Sequence, residues 1–188
     1  MDPITMIQTP HLLLLPGRQL LLEAVLRDKK ELGLLLQVSV PESWPTFPES
    51  FPYAYKMLQA DPSLSDAGWW FYFFIHRQEQ VLAGSGGFKG HPDHAGRVEI
   101  GYEIASEYRG RGLATEAAQG MIDFAFAHPE VHAVDAHTLP QANPSTRVLE
   151  KAGMKYLGPV MDPQDGEVWH WRVRREEYET RSAETEQG

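Results

Sequence analysis

The chain has no cysteine among its 188 residues. That absence excludes a disulfide scaffold, thiolate metal sites and a cysteine nucleophile, and it suits a reducing compartment. Positive charge is also scarce, with 17 Lys and Arg against 26 Asp and Glu. A surface that binds nucleic acid needs clustered cations to neutralise phosphates, so nucleic acid is not an expected partner. Long apolar runs are missing too. The longest, residues 69–75, falls far short of the ~20 residues a bilayer-spanning helix requires. The leucine run at 12–15 is too short for a secretion signal, and Asp2 rather than a Lys or Arg precedes it. A cytoplasmic protein without a membrane partner is the expectation.

What is present reads as one domain, because a chain of this length is about one domain's worth. Residues 1–176 carry the alternating and helical patterns of a packed core, and residues 177–188 read as a polar tail that frays. A first strand over 9–15 ends at Pro16-Gly17, and a leucine-rich helix follows over 19–36. Residues 40–52 hold four prolines with Trp44, Phe47 and Phe51, which predicts an ordered loop before a helix over 51–60. Strands over 69–75 and 81–88 form a hairpin. They are followed by a strand over 98–105, a helix over 111–127 and a strand over 131–138. Asn143-Pro144 opens another helix and Gly153 ends it, with strands at 155–157 and 168–173 beyond. The later order of strand, helix, strand, helix, strand implies an α/β sheet with at least one parallel pair.

The stretch that carries chemistry runs from the strand over 98–105 into Arg109-Gly110-Arg111-Gly112-Leu113-Ala114 and a helix start. Gly110 and Gly112 lack a Cβ, so a ligand can come close to the main chain. The first amides of a helix have no partner within it, and with the dipole and Arg109 and Arg111 they make a phosphate or pyrophosphate site. A glycine-rich turn with surface arginines is the plain alternative. A Walker A loop is excluded, because Leu113-Ala114 stands where Lys-Ser/Thr is needed. A dinucleotide fingerprint is disfavoured, because Thr115 replaces its third glycine and the strand carries Glu99 and Glu103.

The six residues from Arg109 to Ala114 resemble the acyl-CoA pyrophosphate motif of the GNAT N-acetyltransferase superfamily. With Ile100 to Ile104 before them and Asn143 to Met154 after, residues 98–157 are similar to the ribosomal-protein N-terminal (Rim-type) branch. The resemblance implies a single-domain α/β fold with a mixed, largely antiparallel sheet, a splayed central parallel strand pair and flanking helices. It implies acetyl-CoA as co-substrate, with no metal. The pantetheine arm would lie on the main chain of the strand ending at Ile104, and the pyrophosphate on the amides of 109–114. Asn143 would cap its helix and touch the arm. Thr146 stands where relatives often carry a serine near the thioester sulfur. Trp44, Phe47 and Tyr53 fall where relatives cover the acceptor, as a wall or as an aromatic plug. Leu149 occupies the position where many members hold a tyrosine that protonates the leaving thiolate.

Glu99 and Glu103 share one strand face, about 13 Å apart at ~3.3 Å per residue. That exceeds the roughly 5–9.5 Å of glycosidase carboxylate pairs. Either glutamate can take a proton from an amine, and Glu103 lies nearer the strand's carboxyl end, where α/β sites form. Asp135 and His137 share a face of the next strand, with a structural pair as the default and an acceptor-side role for His137 as the alternative. His91-Pro92-Asp93-His94 reads as a solvated turn rather than a metal site. The expected activity is N-acetylation of a primary amine, either a protein N-terminal α-amine or a small molecule, by direct transfer from acetyl-CoA. The alternative is a non-catalytic acyl-CoA-binding or regulatory module. The expected partners are acetyl-CoA and the amine acceptor, the chain acting as a monomer or a dimer.

Overall fold

The computed structural model describes residues 6–186. The first five and last two residues of the spans expected above lie outside it. The first strand region is a short hairpin, β1 (Ile7–Gln8) and β2 (Leu12–Pro16). The long helix expected after it is two helices, α1 (Gln19–Arg27) and α2 (Lys29–Leu36). Asp28 explains the break: it is extended at φ −160°, and its side chain accepts from Lys30 N–H at 2.9 Å, capping α2. A proline-rich loop leads to α3 (Ser50–Ala60) and the single turn α4 (Ser63–Asp66). Then come β3 (Phe71–His76), β4 (Val81–Phe88) and β5 (Arg97–Ile104). The rest of the chain forms α5 (Leu113–Phe126), β6 (Ala133–Thr138), α6 (Pro144–Lys151), β7 (Lys155–Asp162), β8 (Gly166–Arg174) and α7 (Arg175–Glu186).

The eight strands make one sheet in the order β1-β2-β3-β4-β5-β6-β8-β7. Every neighbouring pair is antiparallel except β5–β6, which is parallel. Two apolar layers hold it. One face buries Tyr72, Phe74, Val98 and Ile100 against Leu113, Ala117 and Met121 of α5 and Leu149 of α6. The other buries Phe73, Trp70 and Leu82 against Leu22, Leu32, Phe51 and Leu58 from α1, α2 and α3. Helices thus cover both faces, as a sheet with alternating buried side chains requires. Among the described residues no helix is long and apolar enough to cross a membrane.

The parallel pair is short. β5 meets β6 only from Arg97–Ala133 to Glu99–Asp135. From Ile100 to Ile104 β5 pairs with β4 alone, while β6 runs on to Thr138 against β8. The two central strands therefore part at their carboxyl ends.

Residues 175–186, most of them within the span expected as a polar tail, form α7, whose first turn is anchored on the domain. Arg175 donates to the carbonyls of Val131, Phe126 and His128 at 3.0, 3.0 and 2.7 Å, and the Tyr178 ring lies 4.8 Å from Phe126. Polar composition hides these anchors because the helix needs only one side to hold.

Candidate active site

The β4–β5 ladder decides which main-chain groups face the opening. Ala105 N–H donates to Ala83 O, and Lys89 N–H to Glu99 O, both at 2.9 Å. Antiparallel bonding alternates along a strand, so odd-numbered residues of β5 turn their peptide groups to β4. The peptide groups of Tyr102 and Ile104 therefore point into the gap left by β6. Side chains alternate in the same rhythm. Val98, Ile100 and Ile104 enter the core beneath α5, and Glu99, Gly101 and Glu103 point to the opposite face.

Past β5 a short 3-10 turn, Ser106–Tyr108, leads to the glycine turn. Gly110 and Gly112 sit at φ +73° and +81°, left-handed values that glycine adopts without strain. A Cβ at either would meet no atom within 4 Å, so the turn is open to a ligand. The Glu116 N–H donates to Gly112 O at 3.0 Å, which leaves the amides of residues 113–115 without a partner on their own helix. The side chains of Leu113 and Ala114 go into the core, so these residues offer a ligand only their main chain.

Arg109 and Arg111, expected to add charge at this turn, both contact protein acceptors. Arg109 donates from Nε to Ile104 O at 3.0 Å and reaches Thr46 Oγ1 at 3.4 Å, clasping the end of β5. Arg111 lies over the Tyr108 ring at 5.0 Å and binds the Glu79 carboxylate. That bond holds the Glu79 carboxyl below its ordinary range. Each guanidinium thus has a protein acceptor, while the amides of residues 113–115 have none on their own helix.

Asn143 and Thr146 close a reciprocal cap. Asn143 Oδ1 accepts from Thr146 N–H at 3.1 Å, and Thr146 Oγ1 accepts from Asn143 N–H at 3.2 Å. The Thr146 hydroxyl donates to Asn143 O at 2.8 Å, and Asn143 Nδ2 donates to Gln141 O at 3.0 Å. Beside this cap the Tyr102 hydroxyl lies 3.5 Å from Ser145 O, and burial pushes its pKa up. Leu149, one turn further on, is buried core.

Glu103 stands where several segments meet. Its Oε1 accepts from Ser85 Oγ at 2.9 Å, and Ser85 Oγ accepts from Trp44 Nε1 at 3.1 Å. Its Oε2 accepts from Thr46 N–H at 2.7 Å. Ser85 and the Thr46 N–H thus hold the carboxylate at the edge of a cavity of about 490 Å³. Phe47 and Tyr53 line that cavity and are exposed. Trp44, expected in that wall or as an aromatic plug, is fully buried and donates a hydrogen bond to Ser85.

Glu99 lies outside the cavity lining, joined to His137 Nδ1 at 2.9 Å and to Lys89. His137 also lies outside the lining and stacks on His170 at 5.0 Å. The Asp135–His137 pair is corrected as well. Asp135 binds Arg172 at 2.6 and 2.9 Å and His170 at 3.0 Å. Burial works against its charge, but these partners hold its carboxyl below the ordinary range. The His91 turn is fastened locally, with Asp93 accepting from Ala95 N–H and Arg97 N–H at 2.8 and 2.9 Å.

A parted parallel pair, a left-handed glycine turn at a helix head and a capped second helix beside the gap form one arrangement. A family model described as "Acetyltransferase (GNAT) domain" matches residues 19–155. The chain belongs to the GNAT acetyltransferase family. It is similar to the uncharacterized N-acetyltransferase YjdG of Bacillus subtilis, 29% identical over 142 residues, 76% of this chain and 79% of that one. Its fold matches RimL, a ribosomal L7/L12 α-N-protein acetyltransferase solved with coenzyme A, at TM-score 0.64 and 17% identity, covering 90% of this chain and 97% of that one. It also matches the ribosomal-protein-S5-alanine acetyltransferase of Vibrio fischeri at TM-score 0.63 and 16% identity, covering 90% and 96%.

Sequence reasoning missed two residues that hold Glu103 and one anchor of α5. Ser85 and Thr46 hold Glu103 across 18 and 57 residues of sequence, and no local pattern marks such contacts. Glu116 ties α5 to the first hairpin, accepting from the main-chain N–H of His11 and of Leu12 at 2.7 and 3.1 Å.

Proposed function

We propose that this chain transfers an acetyl group from acetyl-CoA to a primary amine, by direct attack of the amine on the thioester. The observation that carries the reading is the parting of β5 from β6 between the glycine turn and the fixed carboxylate of Glu103. The amides of residues 110–115 take the pyrophosphate, as helix N-termini take anions. The peptide groups of Tyr102 and Ile104 hold the pantetheine arm, and a β5 N–H hydrogen-bonds the carbonyl oxygen as charge develops on it. Asn143 and Thr146 flank the arm from the head of α6.

Glu103 removes the proton from the incoming ammonium, leaving the free amine to attack. The chain has no cysteine to form an acyl-enzyme, so holding the two reactants together supplies much of the rate. The acceptor is a protein N-terminal α-amine or a small-molecule amine, and the work is done in the cytoplasm. The fold likeness to two ribosomal-protein acetyltransferases supports the first kind.

Release of free CoA thiol from acetyl-CoA, followed over a panel of amines with mass-spectrometric detection of the product, tests the reading. A non-catalytic acyl-CoA module is favoured by one observation, Leu149 in the core where many relatives keep a hydroxyl. It predicts a CoA-induced rise in melting temperature with no thiol release from any amine.

A further inference from the structure

The cavity beside Glu103 has a composition that says what its occupant is made of. Its wall is aromatic. Phe47 is 53% exposed and Tyr53 58% exposed, unusual for rings that could be folded inward. Trp70 lies behind Tyr53 at 6.2 Å between rings, and its Nε1 already donates to Ala54 O at 3.1 Å. No ring nitrogen there needs a polar partner from a ligand.

The floor is glycine, and its glycines are of two kinds. A Cβ on Gly86 would come within 2.3 Å of Gly101 O, and one on Gly87 within 2.0 Å of Trp70 O, so packing alone demands glycine at both. Gly101 differs. A Cβ there would meet nothing within 4 Å, and its backbone is ordinary strand. A strand interior prefers a β-former to glycine by roughly 0.5–1 kcal/mol. The fold does not ask for glycine at this position, yet its empty side opens into the cavity two residues from Glu103, on the same strand face.

We propose that the acceptor is an amine carried, through a linker of two or three atoms, on an aromatic ring seated between the Phe47–Tyr53 wall and the space above Gly101. The inference rests on the acetyl-transfer reading for the same site. The amine reaches Glu103 while the ring stays on the aromatic side. An engineered cavity of ~150 Å³ takes benzene, so about 490 Å³ accommodates a ring with its linker and amine. The ionisable groups of the lining are Glu103, Asp165 and Lys89 with the Tyr53 and Tyr102 hydroxyls, which is too little negative charge to select a polyamine. The same chemistry occurs in free arylalkylamines and at peptide N-termini that begin with an aromatic residue.

Thiol release at saturating acetyl-CoA is measured with 2-phenylethylamine, tryptamine, a Phe-Gly peptide, Ser- and Ala-initiated peptides and spermidine. The expected result is kcat/KM at least tenfold higher for the aromatic amines. The ratio of the Phe-Gly peptide to 2-phenylethylamine separates the two sources. Gly101→Leu fills the space and Tyr53→Ala removes the wall. Each should lower aromatic-amine kcat/KM at least tenfold, mostly through KM, with the CoA-induced rise in melting temperature retained. Tyr53 is on the surface, so its variant keeps the test valid if Gly101→Leu fails to fold.

Calorimetric titration of 2-phenylethylamine into the CoA-bound protein gives a readout independent of chemistry. Binding that Tyr53→Ala abolishes, without transfer to any amine, supports this pocket assignment and overturns the acetyl-transfer reading. Preference for spermidine or Ser- and Ala-initiated peptides overturns the assignment and leaves the transfer reading intact. Absence of both binding and aromatic preference also overturns the assignment.

Discussion

Glu103→Gln separates chemistry from architecture at the centre of the site. The carboxylate accepts from Ser85 on one oxygen and from Thr46 N–H on the other. Glutamine has the same size but only one accepting oxygen. If that oxygen keeps the Thr46 N–H, the amide NH₂ faces Ser85, whose oxygen already accepts from Trp44. Ser85 can accept a second hydrogen, but its own proton loses its acceptor. The loss is about one hydrogen bond to a partly solvated group, ~1 kcal/mol, or a fall of roughly 2–4 °C in Tm for a chain this long. The catalytic loss is expected to be larger. Removing a general base lowers kcat/KM about 10²-fold, near 2.7 kcal/mol of transition-state stabilisation. Acetyl-CoA binding should be unchanged. Raising the pH should recover part of the rate, because more acceptor amine then arrives unprotonated. Glu99→Gln is the matched control: it removes the charge facing His137 and Lys89, outside the cavity, and should leave the rate within about twofold. A larger defect in Glu99→Gln would reverse the roles. An unchanged rate in both variants on a verified substrate would remove carboxylate base catalysis from the reasoning.

Three further outcomes follow from the surrounding geometry. Gly112→Asp places a negative side chain at φ +81° in the open turn, costing about 1–2 kcal/mol of backbone strain. The folded variant should show no CoA-induced rise in melting temperature, and a retained rise would put the phosphates elsewhere. Asn143→Ser keeps a good cap and should change stability by only a few tenths of a kcal/mol. Acetyl-CoA affinity should fall by calorimetry if the amide reaches the arm, and an unchanged affinity would leave it a cap only. Glu116→Gln should destabilise the fold by about 1–2 kcal/mol at pH 7, because several donors point at a mostly buried carboxylate. Burial raises the Glu116 pKa, but hydrogen bonds from Thr9 and His11 outweigh it and hold the group below its ordinary range. Its stabilisation is thus present above the unfolded pKa of about 4.3 and disappears as pH falls through the lower folded value. Urea titrations of both proteins from pH 7 to pH 3 should converge, and a constant gap would show that the charge of Glu116 is not what matters.

What could be read in the chain depended on how far apart the interacting residues lie. The glycine turn, the Asn143-Pro144 cap and the alternation of β5 are local, so composition and spacing reveal them. The directions of Arg109 and Arg111 are not local. Glu79 lies 32 residues before Arg111, and a guanidinium follows the acceptors within its reach rather than the turn that bears it. The helical break at Asp28 was available in principle, since Asp is a strong N-cap, but the leucines on either side carry one helical rhythm through it. The docking of α7 depends on Arg175 meeting three carbonyls at the end of α5 and the loop after it, 44 to 49 residues earlier.

Glu103 shows the same separation at the heart of the site. Its face and its place near the strand's end follow from sequence alone. Its pairing with Ser85 follows from the β4–β5 register, in which the two residues are opposite one another. The Trp44 and Thr46 contacts come from the proline-rich loop, which crosses over the strand ends. That loop also carries Phe47 on the cavity wall and Ser43, which accepts from Ser106 N–H at 3.0 Å just before the glycine turn. One segment therefore touches Glu103, the cavity wall and the approach to the glycine turn. A change in the loop's sequence can alter acceptor choice without disturbing β5 or α5, so the acceptor is the property least tied to the motif that marks the family.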